Sequence, residues 1–265
     1  MIEVVVVRSL ETNSIYYLTP NSLELKKDDD VVFETENGLL LGTVCKEVYK
    51  EKKANLVLPL NKVLRIADKK DYSTNKKNAE ESEKALTEAK KISKSLELDM
   101  NFVDAYYSLD KAQLVFLFLS ENRVDFRELA KKLAAKYKTR IELRQVGVRD
   151  KAKRVGGLGP CGLFLCCNSF LADFNSVSIN MAKNQMLALN PTKINGLCGR
   201  LLCCLGYEND TYTEMKKDLP KIGLVADTPL GMGKVVSVDI FKKTYSVDLK
   251  EQGIVTFDNE VSKKK

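Results

Sequence analysis

Six of the seven cysteines fall in two stretches of matched spacing, and few chains can satisfy that pattern by chance. The first stretch is Gly159-Pro160-Cys161-Gly162-Leu163-Phe164-Leu165-Cys166-Cys167. The second is Gly196-Leu197-Cys198-Gly199-Arg200-Leu201-Leu202-Cys203-Cys204. Both read Cys-x4-Cys-Cys, both have glycine beside the first thiol, and Cys198 follows Cys161 by 37 residues. The chain has no histidine, so a metal site here would be made of sulfur and carboxylate. Repeated thiols in a chain of cytosolic character point to metal binding or redox chemistry.

Four readings of the repeat stand side by side. Disulfides suit neither a reducing compartment nor adjacent cysteines such as Cys166-Cys167. Structural zinc favours four ligands in Cys-x2-4-Cys knuckles, whereas each stretch here has a longer gap and a vicinal pair. Buried thiols are the bland alternative, because Leu163-Phe164-Leu165 and Leu201-Leu202 are apolar and cysteine is itself often buried. An iron–sulfur cluster of the 4Fe-4S type suits soft thiolates, glycine-rich loops and apolar cover. Each stretch supplies three thiolates where such a cluster takes four. Either the two stretches share one cluster, or each triad takes its last ligand from a partner. The seventh thiol, Cys45, closes a predicted strand at Leu39 to Val44 and reads as a core residue.

Bulk properties bound the rest. At 265 residues, two or three modules are expected. The longest apolar run, Leu114 to Leu119, is far too short to cross a bilayer, and the N-terminal Met1-Ile2-Glu3 lacks the basic start of a signal peptide. A cytoplasmic location follows as an expectation. The net charge is +7, and it concentrates in one block. Lys138, Arg140, Arg144, Arg149, Lys151, Lys153 and Arg154 face only Glu142 and Asp150 there. Such a block is either a solvated surface or a seat for nucleic acid or an acidic partner, and Arg200 in the second cysteine stretch adds to it.

The pattern along the chain predicts an α+β protein. Its centre is a small antiparallel sheet with covering helices and a cysteine-rich loop region, flanked by small barrel-like β modules at both ends. Residues 1–67 alternate apolar runs with turn signals, including Asn37-Gly38, and read as β. Residues 68–98 read as a connecting helix whose narrow apolar stripe is Leu86, Ala89, Ile92 and Leu96. Residues 99–153 read as two strands, a helix and a strand, with Asp125 and Glu128 spaced for a capping box. Residues 154–220 hold the cysteine repeat and short helices, one capped by Ser178 and ending near Asn190-Pro191, another capped by Asp210 and stopping before Pro220. Residues 221–265 return to β hairpins and end in a solvated Lys263-Lys264-Lys265.

Several of these segments resemble the YaaT/RicT family of bacterial proteins, which carries a domain named for a yeast suppressor of polymerase mutations. The matching residues are Val124 to Leu129, Lys138 to Gln145, Gly147 to Asp150, Gly159 to Gly162, Leu189 to Ile194 and Gly196 to Leu201. The resemblance is dense from about 99 to 210, looser in the N-terminal β region and weakest after Pro220. It implies a non-enzymatic regulatory or adaptor subunit that assembles with two small helical proteins, RicA and RicF. It also implies an iron–sulfur centre held by Cys161, Cys166, Cys167, Cys198, Cys203 and Cys204. In the family the complex supports ribonuclease Y in maturing transcripts and influences sporulation, competence and biofilm formation.

The residues themselves oppose catalysis. Without histidine there is no Ser/His or Cys/His nucleophile pair, and no phosphate loop of the Gly-x4-Gly-Lys-Ser type is present. The alternative function is direct RNA binding, in which the basic block holds phosphates, Tyr106, Tyr107 and Tyr137 stack bases, and zinc is structural. A dithiol oxidoreductase ranks last, because vicinal Cys166-Cys167 is unlike the Cys-x-x-Cys arrangement that activates a thiol.

Overall fold

Continuous apolar runs need cover on two faces, and the run Leu114–Leu119 finds it in the middle of a layered unit. The structure, a computed structural model, describes residues 1–56, 58–171, 174–250 and 252–259. The chain forms two compact units. The first is Met1–Leu158 with Gly162–Ala172, and the second is Gly159–Cys161 with Asp173–Lys265.

The first unit opens with β1 (Ile2–Ser9), β2 (Ile15–Leu18), β3 (Asp30–Thr35), β4 (Gly38–Glu51) and β5 (Val63–Ile66). They form an antiparallel sheet in the order β2-β1-β4-β3-β5. Glu36-Asn37 turns β3 into β4, and Gly38 there takes φ +98°, which L side chains avoid. Gly42 is needed for space rather than dihedral freedom: a Cβ on it would lie 2.6 Å from the Arg8 carbonyl oxygen and 2.7 Å from Val7. Cys45 corrects its sequence reading twice, being only half-buried and lying inside a strand that continues to Glu51.

Helix α1 (Lys69–Ser95) begins at a capping box in which Asp68 accepts from the Lys70 and Asp71 amides and Asp71 accepts from the Asp68 amide. Asp71 also takes a bidentate pair from Arg65 at 2.5 and 2.7 Å, which holds its carboxyl below the usual carboxylate range. The narrow apolar face of α1 is laid on β6 (Asn101–Tyr107), with Ala85 and Ala89 fully buried and Leu86, Ile92 and Leu96 beside them.

Strand β6 pairs antiparallel with β7 (Gln113–Leu119); helix α2 (Arg127–Tyr137) follows, and β8 (Arg140–Gln145) returns parallel to β7. This sheet is therefore mixed, not purely antiparallel, because a helical crossover brings the chain back in the same direction. Alternate residues split its faces: Leu114, Phe116 and Phe118 pack towards the helices, while Tyr106 and Val115 join the core of the first sheet. The capping box expected at Asp125 does not form. Phe126 occupies the cap position, Asp125 accepts from the Arg127 amide and side chain, and Glu128 pairs with Lys132 at 3.0 Å. The Arg127 side chain and amide hold the Asp125 carboxyl down to about 2. Helices α3 (Val148–Val155) and α4 (Cys166–Ser169) complete the unit.

The second unit contains α5 (Ile179–Asn184), α6 (Pro191–Ile194), α7 (Cys203–Lys216) and an antiparallel sheet of β9 (Val225–Thr228), β10 (Gly231–Asp239), β11 (Thr244–Leu249) and β12 (Gly253–Asp258). Ala182, Ile194 and Leu205 form the core beneath the helices. Val235, Tyr245, Val247 and Leu249 form that of the sheet. Ser178 precedes α5 without bonding through its side chain, and α5 stops at Asn184, well before Asn190-Pro191. Asn190 instead caps α6 by accepting from the Thr192 amide. Asp210 lies inside α7 rather than at its start, because that helix begins seven residues earlier at Cys203. Both terminal β regions are open sheets with distinct edge strands rather than closed barrels. The residues Lys263–Lys265, read as a solvated tail, and the end of the last hairpin region at Val261 lie outside the described residues.

Candidate metal centre

The sequence repeat is also a repeat of backbone conformation. In the first loop the Leu165 amide donates to the Gly157 carbonyl at 3.1 Å; in the second the Leu202 amide donates to the Ile194 carbonyl at 2.9 Å. Leu158 bridges Phe164, and Asn195 bridges Leu201 in the same antiparallel sense. The glycine after each first thiol is left-handed, Gly162 at φ +78° and Gly199 at φ +76°, with nothing within 4 Å of where a Cβ would stand. Glycine is thus required for the turn, not for room. Leu165 and Leu202 cap the following helices at φ/ψ of −53°/127° and −55°/132°. Each vicinal pair then opens a helix: Cys166-Cys167 begins α4 and Cys203-Cys204 begins α7. Every one of these correspondences is offset by the same 37 residues as the cysteines.

Consecutive helical side chains diverge by about 100°, so the two thiols of a vicinal pair are aimed differently. The first loop shows the result: Cys161 is exposed, Cys166 half-buried and Cys167 buried at 7% exposure. In the second loop Cys198, Cys203 and Cys204 are all half-buried. The two loops differ where Asn168 corresponds to Leu205. Asn168 Nδ2 donates to the Lys153 carbonyl at 2.8 Å, whereas Leu205 is sealed in the core with Ala182 and Ile194. All seven cysteines are thiols rather than disulfides. Among the described residues no three cysteine or carboxylate side chains are gathered closely enough to hold a metal ion. The donors suit a soft metal or an iron–sulfur centre in kind. Leu163, Phe164 and Leu197 beside the thiols are 71%, 69% and 68% exposed, so the loops offer apolar cover that lies open.

The basic residues do not form one face. Arg140 and Arg144 project from β8, and Arg149, Lys151, Lys153 and Arg154 lie on α3. Arg144 pairs with Glu142 at 3.0 Å, and Arg154 pairs with Asp104 from β6. Arg144, Lys153 and Arg154 do meet around a cavity of about 310 Å³ that Tyr16 and Tyr106 also line. Arg200 is exposed in the second loop. Two of the three expected stacking residues are covered: Tyr106 and Tyr107 are 5% and 7% exposed, and burial pushes both phenols up to about 12, whereas Tyr137 is half-buried. Flat aromatic platforms for bases are therefore missing at those two positions.

Sequence reasoning passed over two carboxylates, one half-buried and one buried. Asp104 sits at a bulge in β6, where a charge within an apolar strand was the available signal. Glu11 is 8% exposed and accepts from the Ser9 hydroxyl at 2.8 Å and the Leu41 amide at 3.1 Å. Burial raises its carboxyl above the usual value, the hydrogen bonds opposing only in part. Nothing in its exposed-looking neighbourhood, Leu10-Glu11-Thr12, announced this.

Residues 61–146 match the PSP1 C-terminal conserved region, and residues 176–219 match the third domain of PSP1-like proteins. The chain is 47% identical over 249 residues to stage 0 sporulation protein YaaT of Bacillus subtilis (strain 168), spanning 94% of this chain and 90% of that protein. The chain belongs to the YaaT family. No solved structure matches it. In YaaT terms, β5 through β8 fall in the PSP1 region, while α5 through α7 and the second cysteine loop fall in the third domain. The first loop lies between the two matched regions. Among the described residues no helix is long and apolar enough to cross a membrane.

Proposed function

We propose that this YaaT-family chain is a non-enzymatic regulatory adaptor of the cytoplasm whose two cysteine loops take up an iron–sulfur centre as it assembles with two small helical proteins of the RicA and RicF type. The assembly then supports ribonuclease Y in maturing transcripts, and through them developmental decisions such as sporulation.

The observation that carries this reading is the conformational repeat. Two loops hold the same left-handed glycine, the same bridge and the same cysteine-opened helix. A shared backbone built around thiols favours a ligand role over independent packing accidents. Cysteines are soft donors, backbone amides at loop and helix starts donate to sulfide, and the exposed leucines and Phe164 supply a dry cover once a partner docks. Each loop has three thiols, so a partner-supplied ligand would make assembly and metal uptake one event.

Anaerobic co-expression with the two helical partners, followed by iron and acid-labile sulfide analysis, tests it. The expected sample is brown with a broad absorption in the blue, and it loses iron when Cys198 or Cys203 becomes serine. Ribonuclease Y-dependent transcripts should remain uncleaved in cells carrying the same variants. Stoichiometric zinc without sulfide would end the iron–sulfur reading, and normal transcript cleavage by iron-free variants would end the functional one.

A further inference from the structure

Strand β8 is an edge of its sheet, in the order β6-β7-β8, and no other strand pairs with it among the described residues. The Val146 amide donates to the Phe118 carbonyl at 2.8 Å. By the alternation of a strand, the backbone groups of Arg144, Glu142 and Arg140 then face β7, and those of Ile141, Leu143 and Gln145 face outwards. An open edge of this kind is a template for another extended chain unless something blunts it.

The two faces beside that edge differ. On the helix side an open groove of about 810 Å³ runs from β8 to the start of α2, with Phe118, Val124, Phe126 and Leu143 among its walls. On the other side stand Arg140 and Arg144, the latter already paired with Glu142. Arg123 at the groove, with Lys138 and Arg140 at the head of β8, are three exposed cations with no ion pair among the described residues. One acid near them, Glu121, is likewise unpaired. The excess of uncompensated positive charge selects an acidic occupant.

We propose that β8 is a docking edge for an extended segment of a partner protein with alternating apolar and acidic residues. Added beside β8 at about 4.8 Å, such a segment bonds through its backbone to Ile141, Leu143 and Gln145. Its apolar side chains fall towards the groove of Phe126 and Leu143, and its acidic ones face Arg140 and its neighbours. The period of two in a strand fits this division of faces, and nucleic acid offers no backbone ladder to match it. This inference stands independently of metal binding.

The test uses the full chain and a fluorescein-labelled octapeptide of alternating glutamate and valine. Fluorescence anisotropy should show saturable binding that weakens with salt, and amide hydrogen exchange at Leu143 and Gln145 should slow at least about tenfold on saturation. The Arg123→Glu/Arg140→Glu protein, whose changes are at exposed positions, should lose that binding while its melting temperature holds. A peptide methylated on alternate amide nitrogens should not bind. Equal binding by the methylated peptide, protection elsewhere only, or no binding up to millimolar peptide overturns the proposal. So does tighter binding of an octauridine that leaves these amides unprotected.

Discussion

At the residue scale the cysteines are unequal despite their equal spacing. Cys167 is the buried member of the first loop and Cys161 the exposed one. Cys167→Ser should therefore cost about 1–3 kcal/mol of stability in chemical denaturation, since a more polar hydroxyl replaces a buried thiol. Cys161→Ser should leave the denaturation curve in place and lower the iron content of the anaerobic complex. Glu11 makes a second case. Its folded carboxyl titrates above the ordinary value near 4.5, so the folded state holds its proton more tightly than the unfolded chain. Stability is then lost as pH rises from that ordinary value through the raised one. Glu11→Gln, which keeps an acceptor for the Leu41 amide, should flatten this decline and be the more stable form towards neutral pH. Urea denaturation at pH 4.5 and 7.5 separates the two proteins. The matched cysteine loops were legible because their spacing repeats. Glu11 was not, because its burial comes from β4 packing across it, a contact thirty residues distant that local polarity conceals.

At the scale of elements, patterning located almost every strand, and the misreadings share a cause. Periodicity reports which face of an element is apolar, not which residue its backbone starts on. Asp125 and Asp210 both looked like helix starts because their side chains can cap. Yet α2 starts after Phe126, and α7 starts at Cys203, where the loop delivers its chain in the right direction. The parallel return of β8 was equally hidden, since a strand's alternation is the same in either direction. Two variants probe the elements directly. Gly42→Ala would push a methyl into the Arg8 carbonyl and Val7 at the centre of the first sheet, and should cost about 1–3 kcal/mol, measured as a lowered thermal midpoint. Asp71→Ala removes both a capping partner and the bidentate contact to Arg65, and should cost about 1–2 kcal/mol at neutral pH. Because pairing holds that carboxyl below its usual range, the penalty should shrink as acid protonates it.

At the scale of the whole chain, the α+β class and the family were legible in local segments, whereas the coverage of layers was not. A helix rich in lysine and glutamate reads as a wet connector, but α1 buries Ala85 and Ala89 completely because small residues let it lie close to β6. The proposed assembly with partners belongs to this scale too. Gly162→Ala and Gly199→Ala each strain a left-handed turn without touching a neighbour. If both loops serve one purpose, each substitution should cost about 1 kcal/mol locally and lower iron incorporation to a similar degree. Loss of iron from one variant alone would mean that the loops have diverged. Strand β4 has a further consequence. Its first residues pair with β3 and Gly42 and Thr43 with both β3 and β1, but from Lys46 to Glu51 β1 is the only strand paired with it among the described residues, across register shifts between Val4 and Val7. A residue inserted near Tyr49 meets a ladder that already tolerates slippage. The same insertion beside Leu40 would turn the inward-facing side chains on one side of it towards water, so the far half of this long strand is where the fold can accept new length.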